Sequence, residues 1–227
     1  MKKYEVTILA PAFNEEENLK EFIEHFLSRI NKNWSMLVVN DGSQDGSENV
    51  LKHYGDIYQN FHYINHYKNL GLGKAFETGF RSIKSDYVVT IDADMSHDIN
   101  MVELLYQNRE KADVVLASIF EEGSKFKGTS KLRLFISRTG NRLISKILGF
   151  RVKEVAGGPR IYKTKFLKGI ELKNHGFESQ IEILLFAKKK GATFSEIPII
   201  LGNRKYGKSK MNYLKMAIGI LKVIKDS

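Results

Sequence analysis

The feature that most constrains the fold is a series of short apolar, β-branched runs separated by segments of helical periodicity. Apolar residues recur every three or four positions from Leu19 to Ile30, which predicts an amphipathic helix between the first two runs. Four runs bounded by polar or turn residues have the composition of buried strands, at 5–10, 36–40, 87–92 and 114–118. Further helices are predicted at 49–54, 74–84 and 101–111. The alternation predicts an α/β fold, with a mostly parallel sheet flanked by helices on both faces.

The alternation loosens after about Gly123. There we expect a basic segment at 125–151, a short strand near Ile161, a helix at 180–190 and a strand at 194–200. No internal repeat or linker divides the chain. We therefore predict a single domain over 1–210, with a sheet-forming half (1–120) and a more variable half (121–210), followed by an apolar helix at 211–227.

Composition excludes several classes of protein. The 227 residues are enough to bury a core, and the absence of cysteine excludes a disulfide framework, a thiolate metal site and a cysteine nucleophile. No apolar run approaches the roughly 20 residues of a membrane-spanning helix. The first residues are basic, but Glu5 and the 11–17 segment interrupt any signal-peptide apolar stretch. These features predict a cytoplasmic protein.

The net charge is +10, from 36 Lys and Arg against 26 Asp and Glu. This balance suits an anionic partner such as nucleic acid, an acidic membrane surface or a phosphorylated substrate. A lysine-rich solvated surface accounts for it equally well. Charge alone therefore does not select a function.

Polar clusters follow three of the predicted strands, at 11–15, 40–43 and 92–94. In a doubly wound sheet, ligands bind where parallel strands end. Asp92 and Asp94, two positions apart, can point to the same side and supply hard oxygen ligands to one Mg²⁺ or Mn²⁺. Such ions commonly take their remaining ligands from water and a substrate diphosphate. The sequence thus predicts a metal-assisted phosphate site at this edge.

Two other phosphate-binding motifs are only partly matched by the sequence. Gly71-Leu-Gly73 begins like a dinucleotide fingerprint, but position 76 is Phe instead of Gly. Gly73-Lys74 resembles the end of a P-loop, yet Lys68 stands where that motif needs Gly, and Ala75 replaces its Ser or Thr. Residues 69–73 are instead predicted to form a tight turn into a helix that starts near Lys74.

Five clusters occur in an order that carries a resemblance. They are Pro11-Ala-Phe-Asn-Glu15, Asn40-Asp-Gly-Ser43, Asn69-x-Gly-x-Gly-Lys74, Asp92-Ala-Asp-Met-Ser-His97 and Arg204-Lys-Tyr-Gly-Lys-Ser-Lys210. Together they resemble a family 2 glycosyltransferase of the GT-A fold, of the polyprenol-phosphate (dolichol-phosphate) mannosyltransferase type. The resemblance covers nearly the whole chain. It implies a nucleotide-sugar half at 1–120 and an acceptor half at 121–210.

The resemblance also implies roles for individual residues. It implies that Asp92, Asp94 and Arg204 are catalytic. It also implies that Asp92, Asp94 and Ser96 bind the metal, Mg²⁺ or Mn²⁺. Arg133 and Ser137, on a helix after the basic segment, match an acceptor-phosphate pair. The resemblance implies that ten residues contact the donor's base, ribose and diphosphate: Pro11, Phe13, Glu15, Val39, Asp41, Asp92, Ala93, Asp94, Arg204 and Lys210.

Three departures from the family pattern concern specific positions. Asn40 replaces the usual first Asp of Asp-Asp-Gly-Ser, although Asp41 is kept. Ile119 stands where the family has an acceptor-phosphate arginine after Gly-Ser. Where the family has a later Gly-Ser-Phe-Arg pattern, residues 157–160 of this chain are Gly-Gly-Pro-Arg. The departures concern the acceptor more than the donor.

The implied reaction is transfer of a sugar from a GDP- or UDP-linked donor to a polyprenyl phosphate. A phosphate acceptor is already anionic, because a monoester's second pKa is about 6, and it needs no general base. A saccharide hydroxyl acceptor would need one, and Glu178 and Glu182 are the candidates. Two other classes of protein stay open. One is a nucleotidyltransferase that forms sugar nucleotides, although the acidic 11–15 segment does not support it. The other is a non-enzymatic basic binding module.

The chain's final segment is apolar around most of a helix from Met211 to Ile224, apart from Lys215 and Lys222. At 14 residues it is too short to span a bilayer, so it must be covered by the core, a partner subunit or the lipid interface. Because a lipid acceptor presents its phosphate at the bilayer surface, we expect peripheral binding at the cytoplasmic face through this helix and the 125–151 segment. A small membrane-anchored subunit is the alternative partner, and nucleic acid is not expected.

Overall fold

The structure is a computed structural model that describes residues 4–95, 97, 99–126, 131–201 and 213–226. The strands of its main sheet are β1 (Val6–Ala12), β2 (Trp34–Asn40), β3 (Phe61–Asn65), β4 (Tyr87–Thr90), β5 (Val114–Ser118), β7 (Arg160–Lys163) and β8 (Phe194–Pro198). They lie in the order β3-β2-β1-β4-β7-β5-β8, all parallel except β7, which is antiparallel to β4 and β5. A small parallel pair joins β6 (Lys125–Phe126) to β9 (Ile200–Leu201).

Helices cover both faces of this sheet, as the sequence predicts. They are α1 (Glu16–Leu27), α2 (Ser47–Ile57), α3 (Leu72–Ser82), α4 (Ile99–Gln107), α5 (Lys131–Ile147), α6 (Ser179–Lys189) and α7 (Tyr213–Asp226), with a 3-10 turn at Thr164–Leu167. The α/β class and the mostly parallel sheet flanked by helices are therefore confirmed.

The core forms two layers because side chains alternate across the strands. In β1, Ile8 joins the layer under α1, α2 and α4, while Leu9 joins the layer under α3 and α6. Phe22 and Phe26 of α1 are fully buried in the first layer, with ring centroids 4.7 Å apart. Strands buried on both faces read as continuous apolar runs, which is why β1, β2, β4 and β5 were predictable.

β3 and α5 are among the elements that differ from the sequence prediction. β3 was not predicted, because it is an edge strand whose middle residues are only partly buried and whose sequence includes His62 and Asn65. The helix that carries Arg133 and Ser137 was expected after the basic segment, but α5 lies within it. The observed α5 is basic and exposes several apolar side chains, while its buried positions include the polar Asn141 and Ser145, so its apolar residues do not mark the buried face.

The C-terminal helix packs partly on the domain. Val223 of α7 is buried in the second core layer, and Ile220 packs against that layer from a partly buried position. Ile218 and Leu221 remain 59% and 66% exposed. Within the part of the chain that the structure describes, no helix combines the length and apolar character needed to cross a membrane.

Candidate active site

A cavity of about 270 Å³ opens at the carboxyl ends of β1, β2 and β4. This is the edge at which the sequence places its three polar clusters, and it includes the change of strand order between β1 and β4. The cavity is lined by Pro11, Ala12, Phe13, Glu15, Asp41, Asn69, Gly71, Leu72, Ala75, Asp92, Ala93, Asp94, His175, Gly176 and Phe177. It therefore brings together seven of the residues predicted to bind a donor.

The loops after β1 and β2 are joined by reciprocal hydrogen bonds. The backbone N–H of Asn14 donates to Ser43 Oγ (2.9 Å), and the N–H of Gln44 donates back to Asn14 Oδ1 (2.8 Å). The N–H of Gly46 likewise donates to Glu16 Oε2 (2.8 Å). Asn14 adopts a left-handed conformation with φ 50°, which asparagine tolerates better than most residues. These bonds fix the cavity wall that carries Phe13 and Glu15.

The carboxylate of Asp41 is buried and holds a third loop against the cavity. Its Oδ1 accepts the N–H of Leu70 (3.0 Å), and its Oδ2 accepts the N–H of Gly71 (2.8 Å). His66 Nδ1 lies 2.7 Å from Oδ1, and His66 Nε2 lies 2.9 Å from Thr78 Oγ1. Asp41 thus lines the cavity and at the same time fixes the turn that forms its floor.

The glycines of that turn are required by close packing. Gly71 has φ 93°, and a Cβ there would lie 2.6 Å from the carbonyl oxygen of His175. A Cβ at Gly73 would lie 2.0 Å from the carbonyl oxygen of Asn174, while the Gly73 N–H donates to the His175 carbonyl (3.1 Å). The tight turn into α3 is confirmed, and its glycines let a distant loop form the opposite cavity wall.

Asp92 and Asp94 follow β4 and both line the cavity. Asp94 is 5% exposed and Asp92 is partly buried. Met95, next in the chain, has φ 61°, an uncommon conformation for a residue with a Cβ. Among the described residues no group of three or more His, Asp or Glu side chains is arranged to hold a metal. Two carboxylates facing one cavity nevertheless suit a hard divalent cation that takes further ligands from a bound diphosphate.

His97 lies in the protein interior beside this pair. Burial lowers its pKa to about 4, against the opposing influence of the Asp94 carboxylate. Its Nδ1 is buried and has no hydrogen-bond partner within the described chain. His97 is therefore a neutral imidazole at neutral pH.

Other predicted site residues lie away from the cavity or outside the description. The Val39 side chain is fully buried in the core and does not line the cavity. Ser137 lies partly buried on α5, where its carbonyl accepts the Asn141 side-chain N–H (3.1 Å). Arg133 belongs to α5, but its side chain is outside the described residues, as are the predicted positions Ser96, Arg204 and Lys210. The roles of these residues remain predictions.

The loop before α6 supplies cavity residues that the sequence did not assign. His175, Gly176 and Phe177 form one wall. The sequence signal that points to them is the run His-Gly-Phe-Glu directly before a helix, a position where loop residues can line a site. The two glycines of α3's turn pack against this loop, so two segments that are distant in sequence have complementary shapes.

The two candidate bases near this loop are occupied by hydrogen bonds. Glu182 accepts the N–H groups of Lys173 (2.8 Å) and Asn174 (3.0 Å), one on each carboxylate oxygen. Glu178 accepts the N–H of Gly176 (3.1 Å), and its carboxylate packs closely against Gly219 of α7. Neither residue lines the cavity. Both side chains therefore support the loop that forms the cavity wall.

A buried charged cluster lies beside the site, at the ends of β5 and β7. Arg160 is 1% exposed, and its guanidinium donates to the carbonyls of Gln180 (2.8 Å), Val155 (3.0 Å) and Gly157 (3.1 Å). Burial raises the pKa of the neighbouring Glu154 to about 8, although Arg160 acts in the opposite direction. Arg160 is the last residue of the divergent Gly-Gly-Pro-Arg pattern, and its role here is to hold a loop.

A mostly parallel sheet with a ligand-sized cavity at its carboxyl edge places this protein among the α/β proteins that bind ligands there. Comparison of the sequence narrows this class. Residues 7–170 match the family described as Glycosyl transferase family 2, and the chain belongs to that family.

Individual relatives are similar over most of the chain. A dolichyl-phosphate beta-glucosyltransferase, ALG5A of Trichomonas vaginalis, is 26% identical over 96% of this chain and 72% of its own length. Among solved structures, glucosyl-3-phosphoglycerate synthase from Mycobacterium tuberculosis in complex with Mg²⁺ and UDP superposes with a TM-score of 0.72 at 17% identity, covering 98% of this chain and 80% of the other. A complex of the same enzyme with Mn²⁺, UDP-glucose and phosphoglyceric acid gives a TM-score of 0.69, also at 17% identity, over 98% and 80% of the two chains.

Proposed function

We propose that this glycosyltransferase transfers glucose from a UDP-linked donor to a polyprenyl, dolichyl-type phosphate. The observation that carries the proposal is the cavity at the carboxyl edge, which combines apolar and aromatic walls with the Asp92 and Asp94 carboxylates. The similar ALG5A protein, matched over 96% of this chain, supports the acceptor class and favours glucose over the mannose implied by the sequence motifs. UDP and UDP-glucose in the synthase complexes are consistent with the donor.

The donor's base and its diphosphate would contact different parts of the cavity. Pro11 and Phe13 offer apolar contact to a flat base, and the Asp41-supported turn closes the floor beneath it. Asp92 and Asp94 line the cavity, and their carboxylates would lie next to the diphosphate. Two carboxylates would repel a diphosphate, so their pairing with it requires a cation between them.

A divalent ion fits this donor set. Asp92 and Asp94 would hold Mg²⁺ or Mn²⁺, and Ser96 is the further predicted ligand. When bound, the ion neutralises negative charge that develops on the nucleotide diphosphate as it leaves. Arg204 and Lys210 are proposed to add positive charge to the same leaving group, and a closed loop there would exclude water from the reacting sugar.

The state of the nearby acids favours a phosphate acceptor over a hydroxyl acceptor. A lipid phosphate attacks as an anion and needs no proton acceptor. Glu178 and Glu182, the bases that a hydroxyl acceptor would require, are hydrogen-bonded to backbone N–H groups and do not line the cavity. In the proposed reaction a phosphate oxygen forms a bond to the anomeric carbon, and that carbon's bond to the nucleotide diphosphate breaks.

We also propose peripheral attachment to an anionic membrane surface on the cytoplasmic side. α5 presents two adjacent stripes to solvent: exposed Ile136, Leu143 and Ile147, and exposed Arg138, Arg142 and Lys146. An apolar stripe beside a basic one is the pattern of an interfacial helix. Each basic residue close to an anionic bilayer contributes about 1 kcal/mol of attraction.

The acceptor test compares products. The purified protein is incubated with UDP-glucose or GDP-mannose, with a divalent ion, and with either a polyprenyl phosphate or a free oligosaccharide. We expect a glucosyl-lipid phosphate product only from the UDP-glucose and lipid-phosphate pair. Strong transfer to the oligosaccharide with none to the lipid would replace this proposal with the hydroxyl-acceptor alternative, and Glu182→Gln would then be the first variant to examine.

The membrane test uses vesicle sedimentation. Binding to vesicles with anionic lipid should exceed binding to neutral vesicles and should fall with salt. Truncation before α7 would uncover the core around Val223, so exposed positions are changed instead. Leu143→Gln with Ile147→Gln should weaken binding while the melting temperature is kept. Salt-insensitive or absent binding to anionic vesicles would assign the exposed stripe to a protein partner such as a membrane-anchored subunit.

A further inference from the structure

His66 directly follows the edge strand β3 and connects the residue after β2 to helix α3. Its side chain is only 8% exposed, and both ring nitrogens are hydrogen-bonded. Nδ1 lies 2.7 Å from Asp41 Oδ1, and Nε2 lies 2.9 Å from Thr78 Oγ1 in α3. The backbone N–H of His66 donates to the Asn40 carbonyl (2.9 Å), which extends the pairing of β3 with β2. The ring is therefore held by its own backbone and by two other elements.

The chemistry of the partners sets the direction of the two ring bonds. A carboxylate oxygen can only accept, so Nδ1 carries a hydrogen and donates to Asp41. In the neutral imidazole Nε2 is then the acceptor, and the Thr78 hydroxyl donates to it. The body of α3 thus orients the ring, and the ring orients the carboxylate.

The Asp41 carboxylate accepts three hydrogen bonds from the residues that the structure describes. Oδ1 receives the His66 ring and the N–H of Leu70 (3.0 Å), while Oδ2 receives the N–H of Gly71 (2.8 Å). A carboxylate has about four lone-pair positions, so these bonds leave one position on Oδ2. Since Asp41 lines the cavity at the carboxyl edge, a bound ligand can use that position.

The chain next to Asp41 packs closely on the loop that begins with His66. Gly42 has φ 68°, and a Cβ there would lie 2.2 Å from the Lys68 carbonyl carbon. The backbone at 41–42 and the loop at 66–71 are therefore in direct contact, and a side chain at position 42 would separate them. This packing, together with the hydrogen bonds, fixes the distance between the ring and the carboxylate.

We propose that His66 is a positioning residue for donor binding and that it acts through Asp41. Leu70 and Gly71 are adjacent in one turn, so their two N–H groups alone leave the plane of the carboxylate free to tilt. The His66 ring, anchored on α3, removes this freedom and keeps the remaining lone pair of Oδ2 available to a nucleotide base. A base with a ring N–H, such as uracil or guanine, has the matching donor.

This inference rests on the proposed function, because it requires a nucleotide in the cavity. It goes beyond the sequence clusters, since His66 belongs to none of them. Its contribution comes from tertiary contacts with Asp41 and Thr78, which lie 25 and 12 positions away in the chain.

The first test measures binding of UDP with Mn²⁺ by titration calorimetry. His66→Leu keeps a side chain of moderate size but donates no hydrogen bond, and we expect it to weaken UDP binding about tenfold, because a bond to a charged group is lost. His66→Asn places an N–H₂ donor near the position of Nδ1, so it should recover most of the affinity. His62→Leu, at an exposed position of β3, is the matched control and should bind UDP as the wild type does.

The second contact of the ring is tested by Thr78→Val, which removes the hydroxyl and keeps the shape of the side chain. We expect UDP binding to weaken by about threefold, less than in His66→Leu, because the ring keeps its bond to Asp41. In turnover assays both variants should raise the donor KM, while the acceptor KM and kcat at saturating donor stay unchanged.

A double-variant cycle separates positioning from a general structural role. If His66 acts through Asp41, the variant carrying both His66→Leu and Asp41→Asn should bind UDP about as weakly as Asp41→Asn alone. Two independent tenfold losses would instead multiply to about a hundredfold. A multiplied loss, or no recovery of affinity in His66→Asn, would overturn the inference, because His66 would then contribute only to the fold.

The inference and the proposed function fail separately. If a glucosyl-lipid phosphate forms but His66→Leu binds UDP like the wild type, His66 is not a positioning residue and the proposed function stands. If UDP binds in a His66-dependent manner but no lipid product forms, the inference stands and the proposed function falls. GDP is titrated in parallel, so the test of His66 also holds for a guanine nucleotide.

Discussion

The two halves of the sheet's carboxyl edge are built differently. On the proposed donor side, the loops after β1 and β2 and the turn before α3 are joined by hydrogen bonds to the main chain, many of them through Asn14 and Asp41. On the proposed acceptor side, α5 leaves Phe135 and Leu143 exposed, at 68% and 58%. The proposed donor side is thus held together by main-chain hydrogen bonds, whereas the proposed acceptor side exposes apolar side chains to solvent.

The acceptor side is nevertheless anchored firmly at its base. Asn141 Oδ1 accepts the N–H groups of Val155 (2.9 Å) and Ala156 (3.0 Å), which fixes α5 to the loop before β7. Glu196 of β8 accepts the N–H groups of Lys153 and Glu154, both at 2.7 Å. The difference therefore concerns only the outer face of α5. Under the proposed function, a nucleotide sugar would meet a preformed pocket, and a lipid acceptor in a membrane would meet an exposed helix.

The largest expected effect comes from the donor side. Asp94→Asn removes one of the two carboxylates facing the diphosphate position, and it should lower kcat by about 100-fold or more with the fold kept. Chelation with EDTA should do the same and be reversed by added Mn²⁺. The control is Asp56→Asn, on the exposed surface of α2, which should retain full activity. Near wild-type turnover of Asp94→Asn would contradict the metal assignment.

A smaller effect is expected at Asp41, whose carboxylate accepts two backbone N–H bonds from the turn before α3. Asp41→Asn replaces one acceptor oxygen by an N–H₂ donor, so the turn loses at least one of these bonds. A hydrogen bond to a charged group contributes roughly 1.5–3 kcal/mol, and we expect the donor KM to rise about tenfold. The acceptor KM should not change. A similar rise in both would show that the two sides are not separate.

The donor side was predictable because its residues fall in short clusters directly after buried strands. The position of a strand end can be inferred from local sequence, and Phe13, Asp41 and Asp94 all follow one. What the clusters could not reveal is that Gly73 packs on Asn174, about a hundred residues away. Such complementarity depends on tertiary packing and leaves no local periodicity.

The acceptor side was harder to predict for the same reason. Asn141 and Glu196 act through contacts with residues 14 and 43 positions away, and neither belongs to a recognisable motif. Glu178 and Glu182 have the residue type of a base, but the structure assigns their carboxylates to backbone N–H groups. Residue type predicts what a side chain can do, and the neighbours determine which of those roles is possible.

The buried acid at the base of the acceptor side predicts a pH effect on stability. Burial raises the pKa of Glu154 from 4.5 to about 8, so between these values the unfolded chain is ionised and the folded chain is protonated. Folding then binds a proton, and the stability that this group contributes below about pH 4.5 is lost as the pH rises towards 8. Arg160 of β7 and Glu196 of β8 are the charged neighbours.

Glu154→Gln keeps the shape but cannot ionise. We expect its melting temperature, relative to wild type, to rise between pH 5 and pH 8, as measured by scanning calorimetry. Glu122→Gln, at an exposed position, should show no such trend. A wild-type and Glu154→Gln pair with parallel pH profiles would indicate that Glu154 is ionised in the folded protein and paired with Arg160.

The smallest expected effect compares one glycine from each side. A Cβ added at Gly140 in α5 meets no atom within 4 Å, whereas one at Gly73 would lie 2.0 Å from the Asn174 carbonyl oxygen. Gly140→Ala should stabilise the protein by about 0.5–1 kcal/mol, because alanine lowers the entropy of the unfolded chain and favours the helix. For a domain of this size that is a rise in melting temperature of roughly 1–4 °C. Gly73→Ala should lower the melting temperature and raise the donor KM, since the cavity wall at 174–177 must move. If Gly140→Ala instead destabilised the lipid-free protein, α5 would be as closely packed as the donor side, and the contrast between an open and a closed half of the sheet edge would be lost.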